Sequence, residues 1–170
     1  LVHTTQSVTF SERFRPLRSS LSLPSSTPEA MDITHHLDRL KESFLWAASK
    51  GGRSQECQSL LTMGADVNWV NKGEGSTTPI LEAARNGHRE VFMLLLAHGA
   101  DTGVKTEMGE NLLHLAAGRN DGDMCASLSG AKCSVMERNN RDETPIDVAV
   151  GKGYGALAKR LERMLVGGMA

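Results

Sequence analysis

The sequence predicts an all-α solenoid of stacked helix-turn-helix units joined by polar loops, and three observations lead there. One phrase recurs at a period of 33 residues: Thr78-Pro79-Ile80-Leu81-Glu82-Ala83-Ala84, Asn111-Leu112-Leu113-His114-Leu115-Ala116-Ala117 and Thr144-Pro145-Ile146-Asp147-Val148-Ala149-Val150. A fixed period of this length means stacked supersecondary units. A second signature, Gly-Ala-Asp, closes a unit at 64–66 and again at 99–101. After each of these the chain turns polar, with Asn68, Asn71, Gly73 and Gly75 in the first loop and Gly103 and Gly109 in the second. A less regular copy of the phrase lies upstream at Phe44-Leu45-Trp46-Ala47-Ala48. The units therefore run over about 40–77, 78–110, 111–143 and 144–170 within a repeat domain of residues 31–170.

Each element has a physical reason. Thr78 and Thr144 suit an N-cap, where a hydroxyl accepts from the free N–H groups of a helix start. Pro79 and Pro145 follow at the first helical position, where the missing N–H costs nothing. The small pairs Ala47-Ala48, Ala83-Ala84 and Ala116-Ala117 let neighbouring helices approach closely. Gly87 ends the first helix of its unit in a left-handed conformation. A second helix is expected from about Arg89 to His98, and its apolar residues Val91, Phe92, Leu94, Leu95 and Leu96 are too many for one stripe, which implies burial between units. Gly99 stops it. No such unit buries its apolar faces alone, so end units act as caps, here Asp32 to Met63 and Tyr154 to Leu165.

The third unit departs from the pattern. Ala117 and Gly130 are 13 positions apart, against 15 between Ala84 and Gly99. Its second helix is short by two residues and begins among Gly118, Asn120, Asp121, Gly122 and Asp123, all poor helix formers. The expectation is a frayed helix at about Met124 to Ser129. The fingertip glycine at 109 is replaced by Asp142 in the third unit and by Ser76 in the first, and aspartate tolerates positive φ well enough to keep the turn.

The second unit, with Thr78-Pro79, Ala83-Ala84, Asn86-Gly87-His88, Glu90-Val91, Leu94-Leu95-Leu96 and Gly99-Ala100-Asp101, closely resembles the ankyrin repeat. The resemblance covers about Met31 to Ala170. It implies that the polar loops are β-hairpin-like finger loops, and that partners are held by these fingers and the exposed face of the first helices, which together form a concave surface. Carried onto this chain, that habit singles out Trp69, Lys72 and Glu74 in the first finger and Lys105, Glu107 and Met108 in the second. Arg138 and Arg141 stand in the third finger, while Arg85, Asn86 and Arg119, with Ser49 and Lys50, line the helical floor. Trp69 stands out because tryptophan and arginine dominate interface hot spots. Its bland alternative is a ring that covers the insertion from Lys72 to Thr77. The resemblance also implies that His88 and His114 serve packing and inter-turn hydrogen bonding.

Composition sets the remaining bounds. With 19 basic and 20 acidic residues in 170, the chain has no electrostatic pull toward nucleic acid. No stretch of about 18 apolar residues occurs, so no membrane insertion is expected. Cys57, Cys125 and Cys133 are odd in number and lack metal-ligand spacing, which favours buried thiols in a reducing compartment. No third group orients any of them as a nucleophile. His35-His36 are adjacent and point apart, which is wrong for shared metal ligation. Gly151-Lys152-Gly153-Tyr154-Gly155 lacks the phosphate-loop spacing and reads as a reversal between helices. Neither an enzyme, a metal nor a cofactor is expected.

Residues 1–30 hold seven serines, three prolines and three arginines against Glu12 and Glu29 as the acids. Such a segment builds no core. It is expected to be a disordered leader, and the same composition suits a transit segment or sequence upstream of a start at Met31. The functional expectation is a monomeric, non-catalytic adaptor for a partner protein. The alternative is a regulatory or targeting segment of a larger enzyme or channel. A cytoplasmic location is expected, with the nucleus and organelle import through residues 1–30 left open.

Overall fold

The computed structural model describes the backbone of residues 28–167 and the side chains of residues 35–165. Two units divide between Thr34 and His35, and the repeat fold belongs to the second. Among the described residues there are eight helices and no strand: α1 (Pro28–Lys50), α2 (Ser54–Thr62), α3 (Pro79–Asn86), α4 (Arg89–Ala97), α5 (Leu112–Gly118), α6 (Gly122–Ser127), α7 (Pro145–Gly151) and α8 (Gly155–Gly167). They pair as the first and second helices of four successive units. The expected leader lies outside the described residues as far as Thr27, and α1 is already helical from Pro28.

The first helices begin as their sequences dictate. Pro79 and Pro145 occupy the first helical turn. Thr144 accepts from the Asp147 N–H at 3.2 Å while the Asp147 carboxylate accepts from the Thr144 N–H at 2.9 Å, a reciprocal capping box. Asn111 and His114 form the same box in the third unit. Thr78 differs from expectation: it holds the cap position, but its buried hydroxyl has no partner. The residue three along is Leu81, which offers no acceptor to the Thr78 N–H, so the reciprocal pair that orients the other two caps is missing.

Each first helix closes with a backbone N–H two or three residues beyond its end bonded five residues back: Arg53 to Ala48 at 3.0 Å, His88 to Ala83 at 2.9 Å, Asp121 to Ala116 at 3.0 Å and Tyr154 to Ala149 at 2.8 Å. These four alanines are fully buried. They correct the register of the first unit, whose small buried pair is Ala48-Ser49 and not Ala47-Ala48. Ser49 is therefore not a floor residue; it is buried, with its hydroxyl donating to the Leu45 carbonyl at 2.8 Å. The reversal itself uses a left-handed residue, Gly87 at φ 75° and Asn120 at φ 58°, since asparagine takes that region at low cost.

In α4, Val91, Phe92 and Leu95 are fully buried and Leu94 and Leu96 partly so, while Met93 faces out. The second helix of the third unit has six residues against nine in α4. It starts at Gly122, earlier than the expected Met124, because Asp121 acts as its N-cap and accepts from the Met124 N–H at 2.9 Å. A poor helix former within a helix is a good one at its start. Nor is this end loose, for Arg89 of α4 bridges Asp121 at 2.9 Å and Asp123 at 2.6 Å. The loss falls at the C-terminal end. Bonds five residues back close α2 and α4, from Ala65 to Leu60 and from Ala100 to Leu95, whereas the Ala131 N–H reaches only to Leu128.

The fingers are narrow loops. Equivalent N–H groups of Asn71, Thr106 and Asn139 bond to the carbonyls of Thr77, Glu110 and Glu143 at 2.9, 2.9 and 3.0 Å. The first finger carries its two extra residues at the tip. The left-handed tip position is kept by Ser76 at φ 47°, Gly109 at φ 72° and Asp142 at φ 62°. The turn thus survives both replacements.

Candidate functional site

Three fingers and the C-terminal ends of the first helices position every side chain singled out by the sequence. Their surroundings differ, and the difference decides what each can do. Trp69 is half-buried near the exposed Lys72, and Met108 is 50% exposed on the second finger. None of the three has a side-chain hydrogen bond or ion pair among the described residues. The others are engaged. Glu74 pairs with Lys50, Lys105 with Glu137 at 2.6 Å, and Arg141 with Glu110 at 3.5 Å and Glu143 at 3.3 Å. Arg138 pairs with Asp142 at 3.4 Å and also reaches the Asp142 carbonyl. Glu107 is exposed, and its carbonyl accepts from Asn140 of the next finger at 3.0 Å.

On the floor, Arg85 pairs with Glu82 at 3.2 Å and Asn86 donates to the Glu82 carbonyl at 2.9 Å. Arg119 has a structural duty. In the first three units a carbonyl at the C-terminal end of the first helix accepts from a side chain of the following unit: Lys50 from His88 at 3.0 Å, Arg85 from Arg119 at 3.0 Å and Gly118 from Lys152 at 2.8 Å. Such end carbonyls have no partner within their own helix. Arg119 also lies over Gly87, where an added Cβ would come within 2.4 Å of its Nε. Of the floor cations, Arg119 spends its side chain on this ladder, while Lys50 and Arg85 contribute their backbone carbonyls and pair their side chains with Glu74 and Glu82.

A second set of ties runs at the base of the fingers. Trp46, Leu81, His114 and Asp147 recur at intervals of 35, 33 and 33 residues. His114 Nε2 lies 2.9 Å from the Glu143 carbonyl and its Nδ1 serves the Asn111 cap, so the ring joins its turn to the next finger. Trp46 takes the same place in the first unit, with its Nε1 donating to Thr77 Oγ1 at 3.0 Å, and Thr77 stands where Glu143 stands two units on. The ammonium of Lys50 sits 4.7 Å from the centre of the Trp46 ring. Sequence reasoning missed this role of Trp46, and its signal was the period of 35 that the first unit follows.

Electrostatics on this side are mixed. The Lys105 ammonium and then the Asn111 amide hold the Glu137 carboxyl below its usual value, and the Thr144 backbone N–H does the same for Asp147. Burial pushes the Cys125 thiol up to about 12 and the Cys133 thiol up to about 11. These are apolar packing groups and not thiolates. Among the described residues no cluster of three or more histidine, cysteine or acidic side chains has metal-binding geometry, and no helix is long and apolar enough to cross a membrane.

One concavity touches the set. The face of α1 that carries His36, Arg39, Leu40 and Ser43 meets the first finger, where Trp69, Val70 and Lys72 complete a groove of about 680 Å³. The α1 residues of this groove carry no motif, so nothing in the sequence marked them.

Helices paired into units, fingers between them and ties from unit to unit define a helical repeat protein. Residues 44–139 match the ankyrin repeat family in three copies, and the chain belongs to that family. The fourth unit, beyond the match, keeps the same cap, turn and ladder bond. Among similar proteins, the human transient receptor potential cation channel subfamily A member 1 is 28% identical over 134 residues, 76% of this chain and 12% of the channel. The palmitoyltransferase AKR1 of Lachancea kluyveri is 38% identical over 87 residues, 51% of this chain and 12% of that enzyme. An ankyrin repeat protein of fowlpox virus is 29% identical over 167 residues, covering 88% of this chain and 49% of its own. The chain thus spans between 12% and 49% of the length of these relatives.

Proposed function

We propose that the chain is a non-catalytic protein-interaction module that holds one partner protein across its fingers and the concave face of its first helices. The observation that carries this reading is the contrast between spent and unspent side chains. Trp69, Lys72 and Met108 project from the fingers with no bond to the fold, and the charges around them sit in exposed pairs. Such pairs contribute at most about 1 kcal/mol each, so a partner can replace them at little cost. Lys105, Glu107, Arg138, Arg141 and Glu74 then serve as the polar rim, and Arg85, Asn86 and Arg119 as a floor whose main duty is structural. The module acts as a monomer in the cytoplasm on this reading, with the repeat domain spanning residues 31–170. It has no catalytic role, in keeping with cysteines buried as neutral thiols.

The test is capture from extract of the source cells by the full chain, with mass spectrometry and with Trp69→Ala and Arg138→Ala for comparison. A partner kept by the wild type and lost by a variant of unchanged circular dichroism supports binding through the fingers. Equal retention by both variants removes it.

A second reading has its own support. Segments similar to this chain make up 12% of a cation channel and 12% of a palmitoyltransferase. On that ground the chain is a regulatory or targeting segment of a larger enzyme or channel, and transcript sequencing that extends the reading frame into a catalytic or membrane-spanning domain would establish it.

A further inference from the structure

The groove between α1 and the first finger is unusual in its charge. His36, Arg39 and Leu40 lie on one face of α1, being spaced three and four residues apart. Opposite them stand Trp69, Val70 and Lys72. Leu40 and Val70 are each 39% exposed, so the apolar floor is open to solvent. Among the described residues no carboxylate lines the groove, and neither Arg39 nor Lys72 has an ion-pair partner. This is not the habit of the surrounding surface, where Lys41, Lys50, Lys105 and Arg141 all pair with acids. The Trp69 indole N–H likewise donates to no acceptor among the described residues.

We infer that this groove takes an acidic peptide segment of a partner protein, with one large apolar side chain seated on Trp69, Leu40 and Val70 and carboxylates placed against Arg39 and Lys72. The inference rests on the interaction-module reading and names the partner's chemistry at one end of it. Two physical arguments select this occupant. An apolar segment alone would cover the two cations without pairing them, which desolvation makes costly. A nucleic acid needs a run of cations along its phosphates, yet α1 also carries Asp38 and Glu42, and the loop after α2 carries Asp66. Burial and then Asp66 and Asp38 raise the Glu42 carboxyl, while Lys41 and Arg39 act the other way more weakly, so the charge along this side of α1 is mixed. Among the described residues, the charges met by a peptide short enough to stay within the groove are those of Arg39 and Lys72.

The test is selection of random displayed peptides against the full chain, followed by titration of the selected peptides with intrinsic tryptophan emission as the readout. The expected result is enrichment of aspartate and glutamate beside a single leucine, phenylalanine or tryptophan, with a shift in emission that Trp69→Phe removes. Arg39→Glu and Lys72→Glu should each weaken binding about tenfold or more with unchanged circular dichroism. Binding indifferent to both charge reversals but lost in Arg138→Ala or Arg141→Ala overturns the groove and leaves the finger reading standing. Selection of no peptide, or of peptides without acids, overturns the groove as well, while capture from extract judges the finger reading separately. Emission that shifts with protein concentration alone, together with dimers in sedimentation, means a second copy occupies the groove and also overturns the inference.

Discussion

Trp46, Leu81, His114 and Asp147 hold one structural position with four side chains, and the energetics of the first turn follow from which of them can return a hydrogen bond. Where the box is complete, at Thr144, removal of the hydroxyl by Thr144→Val should cost about 1 kcal/mol in urea unfolding. At Thr78 the hydroxyl is buried and unpartnered, so Thr78→Val should be neutral or stabilising in the same assay, since an unmet polar group carries its desolvation cost without return. A cost at Thr78 equal to that at Thr144 would show that the hydroxyl finds a partner in solution. The Thr-Pro pair was legible in the sequence, but whether its hydroxyl is satisfied depends on the residue three positions later. The cysteines give a second residue-level expectation. With thiols raised to about 12 and about 11, Cys125 and Cys133 should react slowly with a disulfide reagent at pH 8 and quickly in denaturant. Because the unfolded chain gives up these protons at lower pH than the folded one, stability should fall as pH rises above about 9.

At the scale of elements, the ladder between units decides how the floor is read. Arg119→Met keeps much of the side chain's length and removes the donor to the Arg85 carbonyl, so it should lower stability by about 1 kcal/mol whatever it does to binding. A variant of unchanged stability that loses a partner would instead place Arg119 chiefly at an interface. Acid should loosen the third finger and the last unit together. The carboxyls of Glu137 and Asp147 lie below their ordinary values of 4.5 and 3.8, so the stability they supply is present above those values and lost as pH falls through the lowered ones. Helical circular dichroism followed from pH 6 to pH 2 would register this. Much of the element map was readable from the period, the Thr-Pro starts and the glycine stops. The start of α6 was not, because Asp121 and Gly122 count against a helix by propensity while a cap reverses the sign for Asp121. The register of the first unit was not either, since Ala47-Ala48 imitates the pair that Ala48-Ser49 supplies in space.

For the whole molecule, stability is shared along the stack, and each unit's term depends on the surface it gives its neighbours. The short α6 leaves the third unit with less of a second helix to share. Native-state hydrogen exchange should therefore show the shortest protection among second helices at α6, with the buried first helices α3 and α5 the most protected. Uniform protection across all four units would mean that the fold opens only as one body. The proposed interaction surface was legible at this scale only as a set of fingers. The family resemblance singled out Trp69 and Lys72, but the α1 face opposite them belongs to no repeat phrase, and the fold brings Arg39 and Leu40 to the same groove.

The ladder of end carbonyls has a direction. Lys50 is completed by His88, Arg85 by Arg119 and Gly118 by Lys152, always from the unit that follows. During synthesis, then, each unit emerges from the ribosome before the residue that completes it. Assembly should lag translation by one unit, and a nascent chain paused after any repeat would present an unfinished end to the first chaperone that meets it.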